Sequence, residues 1–399
     1  MAAMSASDTT APETLPTAHR PPSTEFPTLG ILGGGQLGRM TALAAIPLGV
    51  RMRFLIPKPS GCVAGLGEVT VADWTDPDVL RDWAAGCDAI TVESEWAPAD
   101  ALSEVLPEGT ALWPAPETLH IIRDKGRQNQ TLADAGLPLP PFRRCPTVDD
   151  ALAAADAFGY PVVLKKFRGS YDGYGNATAH GPDDVRAAWP DLADDDGLLV
   201  EAFVEFRQEL TVLVARHPDG SHVTYPIAYT EQRDHRCHAV VVPADVSETT
   251  AEKARRVGLG AVEAVGGVGI TAVEMFEATD GRILVNELAP RPHNTGHYSI
   301  EACHASQFEN HARAVLGWPL GDPSLRVPTA VMVNVLGHRQ GRPRLTGLTD
   351  ALSIPGVGVH IYDKGRVRPN RKMGHVTATG TDPAEVRTRA ERAASLIHP

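Results

Sequence analysis

The chain has 399 residues and a formal net charge of −12, with 43% hydrophobic and 22% charged residues. This length suits two or three packed domains, and the acidic balance argues against a nucleic-acid partner, because such partners require a basic surface. The sequence holds no apolar run long enough for a membrane span, and its five cysteines include no C-x-x-C pair. We therefore expect a cytoplasmic protein with no membrane partner, no disulfide scaffold and no cysteine zinc site.

The N-terminal part of the sequence predicts an extension followed by an α/β domain. Residues 1–27 are rich in Ala, Ser, Thr and Pro and lack apolar periodicity, which indicates a disordered extension. Apolar strands then alternate with helical stretches, which predicts a Rossmann-like domain over residues 28–118. The predicted strands are 29–32, 51–56 and 89–92, and the predicted helices are 39–48 and 76–83.

A glycine-rich segment follows the first strand and indicates a phosphate cradle. Its candidate binding residues are Gly33, Gly35, Gln36, Leu37 and Gly38. Glycines at a helix start let backbone N–H groups approach a phosphate. A dinucleotide site would also need an acidic residue after the second strand, but the sequence there, at 55–58, is LIPK. We favour a general nucleotide or phosphate cradle, while NADP binding and a purely structural turn stay open.

Two further features place charged residues at strand ends. Glu93 and Glu95 follow the strand at 89–92, at the sheet edge where ligands of α/β folds bind. After a helical connector over 119–135, Lys165 ends a strand of a small α+β module and precedes a loop with three glycines. A lysine there can hold phosphate oxygens, and such a loop can close over them. We expect the loop, residues 168–176, to be mobile without ligand; a surface lysine at a hairpin tip is the alternative.

The most specific pattern is a hairpin that opposes two glutamates. Asp280-Gly281 lies between two apolar runs, and a two-residue turn there would pair Glu274 with Glu287, with Asn286 beside it. Like charges directly opposite destabilise a sheet, and a hard cation would remove the repulsion. Two carboxylates and an amide oxygen suit Mg²⁺. We therefore expect the metal-free protein to keep or gain stability when Glu287 becomes Gln, unless an arginine pairs with one glutamate or the register slips.

The loop after this hairpin and the C-terminal tail carry groups that suit anions. Arg291 offers a planar fork for a carboxylate or bicarbonate, and His293 and Asn294 add donors. A zinc site at His293 and His297 would need a helix that two neighbouring prolines discourage. The tail contains a basic segment, which is either a solvated surface or a phosphate pocket. Its basic residues are Lys364, Arg366, Arg368, Arg371 and Lys372.

In this order, the motifs resemble the carboxyaminoimidazole ribonucleotide synthase family, ATP-grasp enzymes of purine biosynthesis. The resemblance covers about residues 28–380. It rests on GGGQLGRM at 33–40, ESE at 93–95, KKFRGSYDGYG at 165–175, VEAFVEFRQEL at 200–210, EMF…VNELAPRPHNTGHY at 274–298 and YDKGRVRPNRKMGH at 362–375. It implies a three-domain ATP-grasp architecture of α/β and α+β character, in a homodimer. The implied domains are the Rossmann-like one at 28–118, an ATP-grasp domain at 119–324 with a small lid module at about 148–208, and a C-terminal domain at 325–399.

The resemblance also implies roles for single residues. ATP would be bound by Lys125, Lys165, Glu201 and Glu209, and Mg²⁺ by Glu274 and Glu287. Arg291, His293 and Asn294 would lie near bicarbonate and act in catalysis. A ribonucleotide substrate would be bound by Glu93, Tyr171, Asp172, Lys364, Arg371 and Lys372. The implied reaction is the carboxylation of the exocyclic amine of aminoimidazole ribonucleotide through carboxyphosphate.

The sequence departs from the family pattern at several positions. Ser170, Tyr174 and Asn176 stand in the glycine-rich loop where Gly, a basic residue and Gln are usual, and Asn129 replaces a basic residue. Because several of these lie where substrate should bind, an ATP-grasp ligase for a different amine stays open. Two alternatives outside the ligases are an NADP-dependent oxidoreductase and a non-catalytic nucleotide-binding paralogue.

Overall fold

The computed structural model describes residues 26–169, 174–233 and 236–399. The extension predicted for residues 1–27 therefore lies outside the described residues, except for Phe26 and Pro27. The described strands form a parallel N-terminal sheet, a small antiparallel sheet and a large antiparallel sheet that continues into the tail. The mixed α/β and α+β character predicted from the sequence is confirmed.

The N-terminal domain is built around parallel strands. Its elements are β1 (Thr28–Leu32), α1 (Gln36–Ala45), β2 (Arg51–Ile56), β3 (Glu68–Val71), α2 (Pro77–Ala84), β4 (Ala89–Val92), α3 (Ala99–Val105) and β5 (Ala111–Leu112). The strand order is β3–β2–β1–β4–β5. The three predicted strands are confirmed as β1, β2 and β4; β3 and β5 lie at the sheet edges and are too short or too exposed to give a clear pattern. Because β1 and β4 are parallel neighbours, the segments that follow them meet at one edge.

The helical connector is interrupted where the sequence predicted one continuous helix. It forms two helices, α4 (Pro116–Arg123) and α5 (Lys125–Asp134). Asp124 causes the break, because its carboxylate accepts a hydrogen bond from Arg127 N at 3.0 Å and caps the start of α5. The break buries Lys125 at the centre of the molecule.

The small module packs two helices on an antiparallel sheet. Its elements are β6 (Phe142–Cys145), α6 (Val148–Phe158), β7 (Val162–Lys165), β8 (Asn176–Ala179), α7 (Pro182–Leu192) and β9 (Leu198–Ala202). The strand order is β6–β9–β7–β8. Because Lys165 pairs with Leu199 in this sheet, Glu201 is its diagonal neighbour on the same face.

The large sheet joins the central part of the chain to the tail. Its strands are β10 (Phe206–Arg216), β11 (His222–Thr224), β12 (Ala228–Arg233), β13 (Arg236–Val242), β14 (Gly269–Ala278), β15 (Ile283–Ala289), β16 (Thr329–Leu336), β17 (Val357–Ile361) and β18 (Lys372–Gly380). The order is β15–β14–β10–β12–β13–β16–β18–β17, with β11 on β10. The predicted boundary at residues 324/325 thus falls between strands of one continuous sheet, because β13 pairs with β16.

Helices cover this sheet and tie it to the N-terminal domain. They are α8 (Glu248–Ala264), α9 (Ser299–Ala302), α10 (Gln307–Val315), α11 (Leu348–Leu352) and α12 (Pro383–Leu396). On α10, His311 accepts from Ile270 N at 3.0 Å through Nδ1 and contacts Thr91 Oγ1 at 2.9 Å through Nε2. Burial lowers the pKa of His311 to about 3, so the ring is neutral and its Nε2–H donates to Thr91. Among the described helices, none has the length and apolar content to cross a membrane.

Candidate active site

The hairpin β14–β15 opposes Glu274 to Glu287, as predicted, although the turn differs from the prediction. Ala278 N bonds to Arg282 O, so the turn has three residues, not two, and Gly281 adopts a left-handed conformation with φ of 81°. That turn alone would shift the pairing by one residue. An irregularity at Asn286 on β15 restores the register before Glu274 is reached. The predicted opposition of the two glutamates is therefore confirmed, but a bulge is part of what produces it.

The two glutamates differ in their charge state. Burial, together with the charges of Glu287 and Glu209, raises the pKa of Glu274 to about 8. Burial alone would also raise the pKa of Glu287, but the Lys125 ammonium, 2.5 Å from Glu287 Oε2, acts together with Lys165 and His293 to lower it. Without a further cation, Glu274 therefore holds a proton at neutral pH while Glu287 is ionised. This donor pair fits Mg²⁺, which would replace the proton on Glu274.

A second lysine lies beside the first. Lys165 Nζ is 2.6 Å from Glu201 Oε2 and donates to Asn286 Oδ1 at 3.1 Å. Asn129 Nδ2 donates to Glu201 Oε1 at 2.8 Å, so both oxygens of this buried carboxylate have partners. Asn129 stands where the family usually has a basic residue. Its amide still provides a hydrogen bond to Glu201. Lys165 and Glu201, two of the residues predicted to bind ATP, are thus in contact, and Asn286 from the glutamate hairpin joins them. Their contact with ATP stays a prediction.

Glu209 lies at the start of the central strand β10. It is paired with Thr230 on one side and Phe276 on the other, and it accepts from Gln232 Nε2 at 2.9 Å. Because Thr211, two residues further along β10, pairs with Glu274, Glu209 is the diagonal neighbour of Glu274, and its charge contributes to the raised pKa of that glutamate. Its predicted contact with a ribose stays a prediction.

Arg291 and His293 face the site from the loop after β15. Arg291 Nε donates to Glu95 Oε2 at 2.8 Å and its Nη2 to Glu95 Oε1 at 3.4 Å, a two-point pair that joins this loop to the N-terminal domain. Burial would raise the pKa of Glu95, but Arg291 outweighs it and lowers that pKa. His293 Nδ1 lies 2.9 Å from Thr295 Oγ1 and 3.7 Å from Glu274 Oε1. Asn294 Nδ2 lies 3.4 Å from Cys237 Sγ.

The glycine-rich segment after β1 binds a carboxylate of the chain itself. Gly35 N and Leu37 N donate to the two oxygens of Glu93, the second at 3.1 Å. A Cβ at Gly33 would lie 2.6 Å from Glu93 Cβ, and one at Gly35 would lie 2.3 Å from Glu93 Oε1. The close approach of Glu93 therefore requires glycine at both positions. Phosphate binding by this segment stays a prediction, and Glu93 would first have to withdraw.

The basic segment of the tail meets the N-terminal domain at the same place. Lys364 Nζ donates to Lys372 O at 2.7 Å. Burial and the charge of Arg371 lower the pKa of Lys364 to about 8, while Glu93 acts in the opposite direction. The positive charge of Lys372 partly offsets the rise in the pKa of Glu274. Lys364 thus lies near Glu93 and Lys372 near Glu274. Arg371 lies in the same basic segment, where its guanidinium donates to Arg366 O at 2.8 Å.

Other predictions meet different outcomes. Tyr171 and Asp172, with Ser170 and Gly173 of the glycine-rich loop, lie outside the described residues, so their predicted role and the predicted lid stay predictions. At the two histidines of the alternative zinc site, one ring nitrogen already has a partner: His297 Nδ1 lies 3.1 Å from Gln307 Nε2, and His293 Nδ1 lies 2.9 Å from Thr295 Oγ1. Glu95 was predicted only as an acid at a strand end and Asn129 only as a departure from the family pattern, and Gln307 was not predicted as a site residue. The partner that gives each of them its role lies in another part of the chain.

A separate histidine cluster lies at the junction with the tail. Ligand atoms of Glu301, His360 and His375 come within 4.8 Å of one another. The rings of His360 and His375 stack at 4.5 Å with planes 13° apart, so their in-plane lone pairs run side by side and do not converge. His360 Nε2 and Glu301 Oε1 are already hydrogen-bonded at 2.5 Å. We interpret this cluster as a contact that fixes β17 to α9.

Comparisons with known proteins agree with this geometry. The chain matches the ribonucleotide synthetase preATP-grasp domain over residues 26–123, the ATP-grasp domain over 130–308 and the phosphoribosylaminoimidazole carboxylase C-terminal domain over 330–389. N5-carboxyaminoimidazole ribonucleotide synthases from Mycobacterium tuberculosis and Mycobacterium leprae are 40% and 41% identical to it. Those matches cover 93% of this chain and 88% and 89% of the two relatives.

Solved structures give the same result. The N5-carboxyaminoimidazole ribonucleotide synthetase of Thermotoga maritima is 38% identical, with a TM-score of 0.83 over 94% of this chain and 99% of that one. The N5-carboxyaminoimidazole synthase of Aspergillus clavatus, in complex with ADP and 5-aminoimidazole ribonucleotide, is 31% identical. Its TM-score is 0.82, and the match covers 93% of this chain and 98% of that one.

Proposed function

The chain belongs to the N5-carboxyaminoimidazole ribonucleotide synthase family of ATP-grasp ligases, and on that basis we propose that it carboxylates the exocyclic amine of 5-aminoimidazole ribonucleotide. The reaction consumes ATP and bicarbonate and belongs to de novo purine biosynthesis. The observation that carries the proposal is the presence of three charged groups close enough to act on one another electrostatically. These groups are the Glu274–Glu287 pair with its two lysines, the Arg291–Glu95 pair, and Lys364 with Lys372.

Lys125 and Lys165 suit the phosphates of ATP. Lys125 and Lys165 are buried, and each is held by carboxylate or amide oxygens at the edge of the glutamate pair. Preorganised cations of this kind stabilise charge that develops during phosphoryl transfer. Glu274 and Glu287 would hold Mg²⁺, which when bound would neutralise further phosphate charge.

The proposed chemistry has two steps. A bicarbonate oxygen attacks the γ-phosphorus of ATP, the bond to ADP breaks, and carboxyphosphate forms. The amine of the ribonucleotide then attacks the carboxyl carbon, inorganic phosphate leaves with the shared oxygen, and the nitrogen releases a proton. Arg291 suits bicarbonate through its planar guanidinium, which Glu95 already holds in one orientation. Lys364 and Lys372 suit the 5′-phosphate of the ribonucleotide.

A coupled assay of ADP formation tests the proposal. We expect ADP release to depend on both bicarbonate and 5-aminoimidazole ribonucleotide, and to disappear when either is left out. If the ribonucleotide produces no ADP but another amine does, the ATP-grasp ligase for a different acceptor replaces this proposal. The nucleoside without its phosphate serves as the matched control substrate and should support little turnover.

We also propose that the protein works as a cytoplasmic homodimer, as the family resemblance implies. The cysteine thiols are free and buried, and burial raises the pKa values of Cys87 and Cys303 to about 12. Thiols of this kind suit a reducing compartment. Light scattering coupled to gel filtration should give twice the mass of one chain, and a single-chain mass would refute the dimer.

A further inference from the structure

Two side-chain amides of α10 hold the backbone of two different loops in the same way. Gln307 Oε1 accepts from His293 N at 2.9 Å, and Gln307 Nε2 donates to His293 O at 2.7 Å. One turn later, Asn310 Oδ1 accepts from Gly321 N at 2.7 Å and Asn310 Nδ2 donates to Gly321 O at 3.1 Å. Both amides have no exposed surface. Gln307 therefore gives His293 N an acceptor and adds a donor to His293 O, which also accepts from Gly296 N at 3.0 Å. Asn310 bonds both backbone polar groups of Gly321 in the same way.

The Gln307 amide is also bonded to a histidine. Its Nε2 lies 3.1 Å from His297 Nδ1, so its two N–H groups serve His293 O and His297. Burial lowers the pKa of His297 well below its usual value, and the ring is neutral. Because Nδ1 accepts from Gln307, the ring proton of His297 is on Nε2. A Cβ at Gly296 would lie 2.5 Å from Gln307 Oε1, so the loop encloses this amide closely.

The two loops differ in what they carry. The loop held by Gln307 presents the His293 ring to Glu274 at 3.7 Å and places Asn294 beside Cys237. Pro290 and Pro292 lack a backbone N–H, so this loop has fewer donors of its own with which to fix its path. The loop held by Asn310 runs between α10 and β16 and carries none of the candidate site residues.

We propose that Gln307 is a positioning residue for the carboxylation site. It bonds both backbone polar groups of His293 and thereby holds the His293 ring beside Glu274, although its own side chain is buried behind the loop. This inference rests on the proposed function. It assigns to Gln307 an effect on turnover that Asn310, with the same burial and the same bonding pattern, does not have.

Matched substitutions on α10 separate positioning from stability. Gln307→Met and Asn310→Leu keep the length of each side chain and remove the amide, so both should lower the thermal unfolding midpoint. Gln307→Met should also reduce kcat by about ten- to a hundredfold, as a displacement near 1 Å does, with little change in KM for ATP. Asn310→Leu should keep the wild-type kcat at a temperature where both variants are folded. Equal kcat in the two variants would overturn the proposal.

Gln307→Glu adds a readout that a purely structural role does not affect. A protonated carboxyl can donate to His293 O, whereas a carboxylate repels that oxygen. The ratio of variant to wild-type kcat should therefore fall as pH rises, while the corresponding ratio for Asn310→Leu stays flat. A pH-independent ratio for Gln307→Glu would contradict the positioning role.

Hydrogen exchange tests the inference independently of turnover. Gln307→Met should raise amide exchange in a peptide covering residues 290–298, and Asn310→Leu should do so in one covering 319–325. If the wild type shows no ribonucleotide-dependent turnover, the proposed function fails, and the exchange data still decide whether Gln307 holds this loop. Unchanged exchange at 290–298 would overturn the inference itself.

Discussion

At neutral pH, the carboxyl groups of Glu274 and Glu287 have opposite effects on the stability of the fold. Folding raises the pKa of Glu274, so its ionisation destabilises the native state. Folding lowers the pKa of Glu287, whose carboxylate forms an ion pair with Lys125. The expectation from the sequence, that Glu287→Gln keeps or raises stability, changes accordingly. Replacing Glu287 leaves the buried Lys125 ammonium without its partner, whereas replacing Glu274 removes the repulsion.

We predict opposite shifts in stability for the two glutamine variants of the metal-free protein. The pKa of Glu274 rises from 4.5 to about 8 on folding, so the native state binds more protons between these values, and this group lowers stability as pH rises through them. Glu274→Gln cannot ionise, so its advantage in melting temperature should grow from pH 5 to pH 9. Glu287→Gln should lose roughly 1–3 kcal/mol at pH 7. Thermal melts across pH check this, and a pH-independent effect of Glu274→Gln would refute the assigned charge states.

Lys364 should give the reaction an alkaline limit. Its pKa of about 8 means that the free enzyme loses this positive charge as pH rises above 8, and a neutral amine binds phosphate poorly. The kcat/KM for the ribonucleotide should therefore decline above pH 8 at saturating Mg-ATP. Lys364→Arg keeps its charge throughout this range and should lack that decline. Identical alkaline profiles for the two proteins would show that Lys364 does not bind the phosphate.

The basic segment, which ends at the first residue of β18, should bind the phosphate of the ribonucleotide. Hydrogen bonds to charged groups contribute roughly 1.5–3 kcal/mol each, and 1.4 kcal/mol is a factor of ten. We therefore predict that Arg371→Ala raises KM for the ribonucleotide by about ten- to a hundredfold and leaves KM for ATP nearly unchanged. Arg392→Ala, an exposed arginine on α12, is the control. Wild-type KM values in Arg371→Ala would make the segment a solvated surface.

The elements also show how far sequence patterns reach. Strand β4 is found at the predicted residues because its continuous apolar run marks a buried parallel strand. Strand β2 is also found as predicted, although Arg51 and Arg53 interrupt its buried apolar residues. The Asp280-Gly281 pattern identified the hairpin, but neither the three-residue turn nor the irregularity at Asn286 could be predicted. Both depend on how β15 packs and on Lys165, which bonds Asn286 from another sheet.

Over the whole molecule, contacts between distant segments decide which predicted residues meet. The Glu93 carboxylate binds the glycine-rich segment, Glu95 binds Arg291, and Gln307 binds His293, and each pair joins separate parts of the chain. The local sequence does not indicate which residues form such pairs. The resemblance to a family, in contrast, implied site roles for Glu93, Arg291 and His293. The continuity of the large sheet from β13 into β16 likewise depends on tertiary structure.

In the proposed reaction, a bicarbonate oxygen becomes bonded to the γ-phosphorus of ATP before the carboxyl group is transferred to the amine. Oxygen-18-labelled bicarbonate tests it most directly, with the inorganic phosphate from a reaction containing 5-aminoimidazole ribonucleotide examined by mass spectrometry. Because phosphate leaves carboxyphosphate with the shared oxygen, each phosphate released should contain one labelled oxygen. Phosphate released during ribonucleotide-dependent turnover without label would contradict the account.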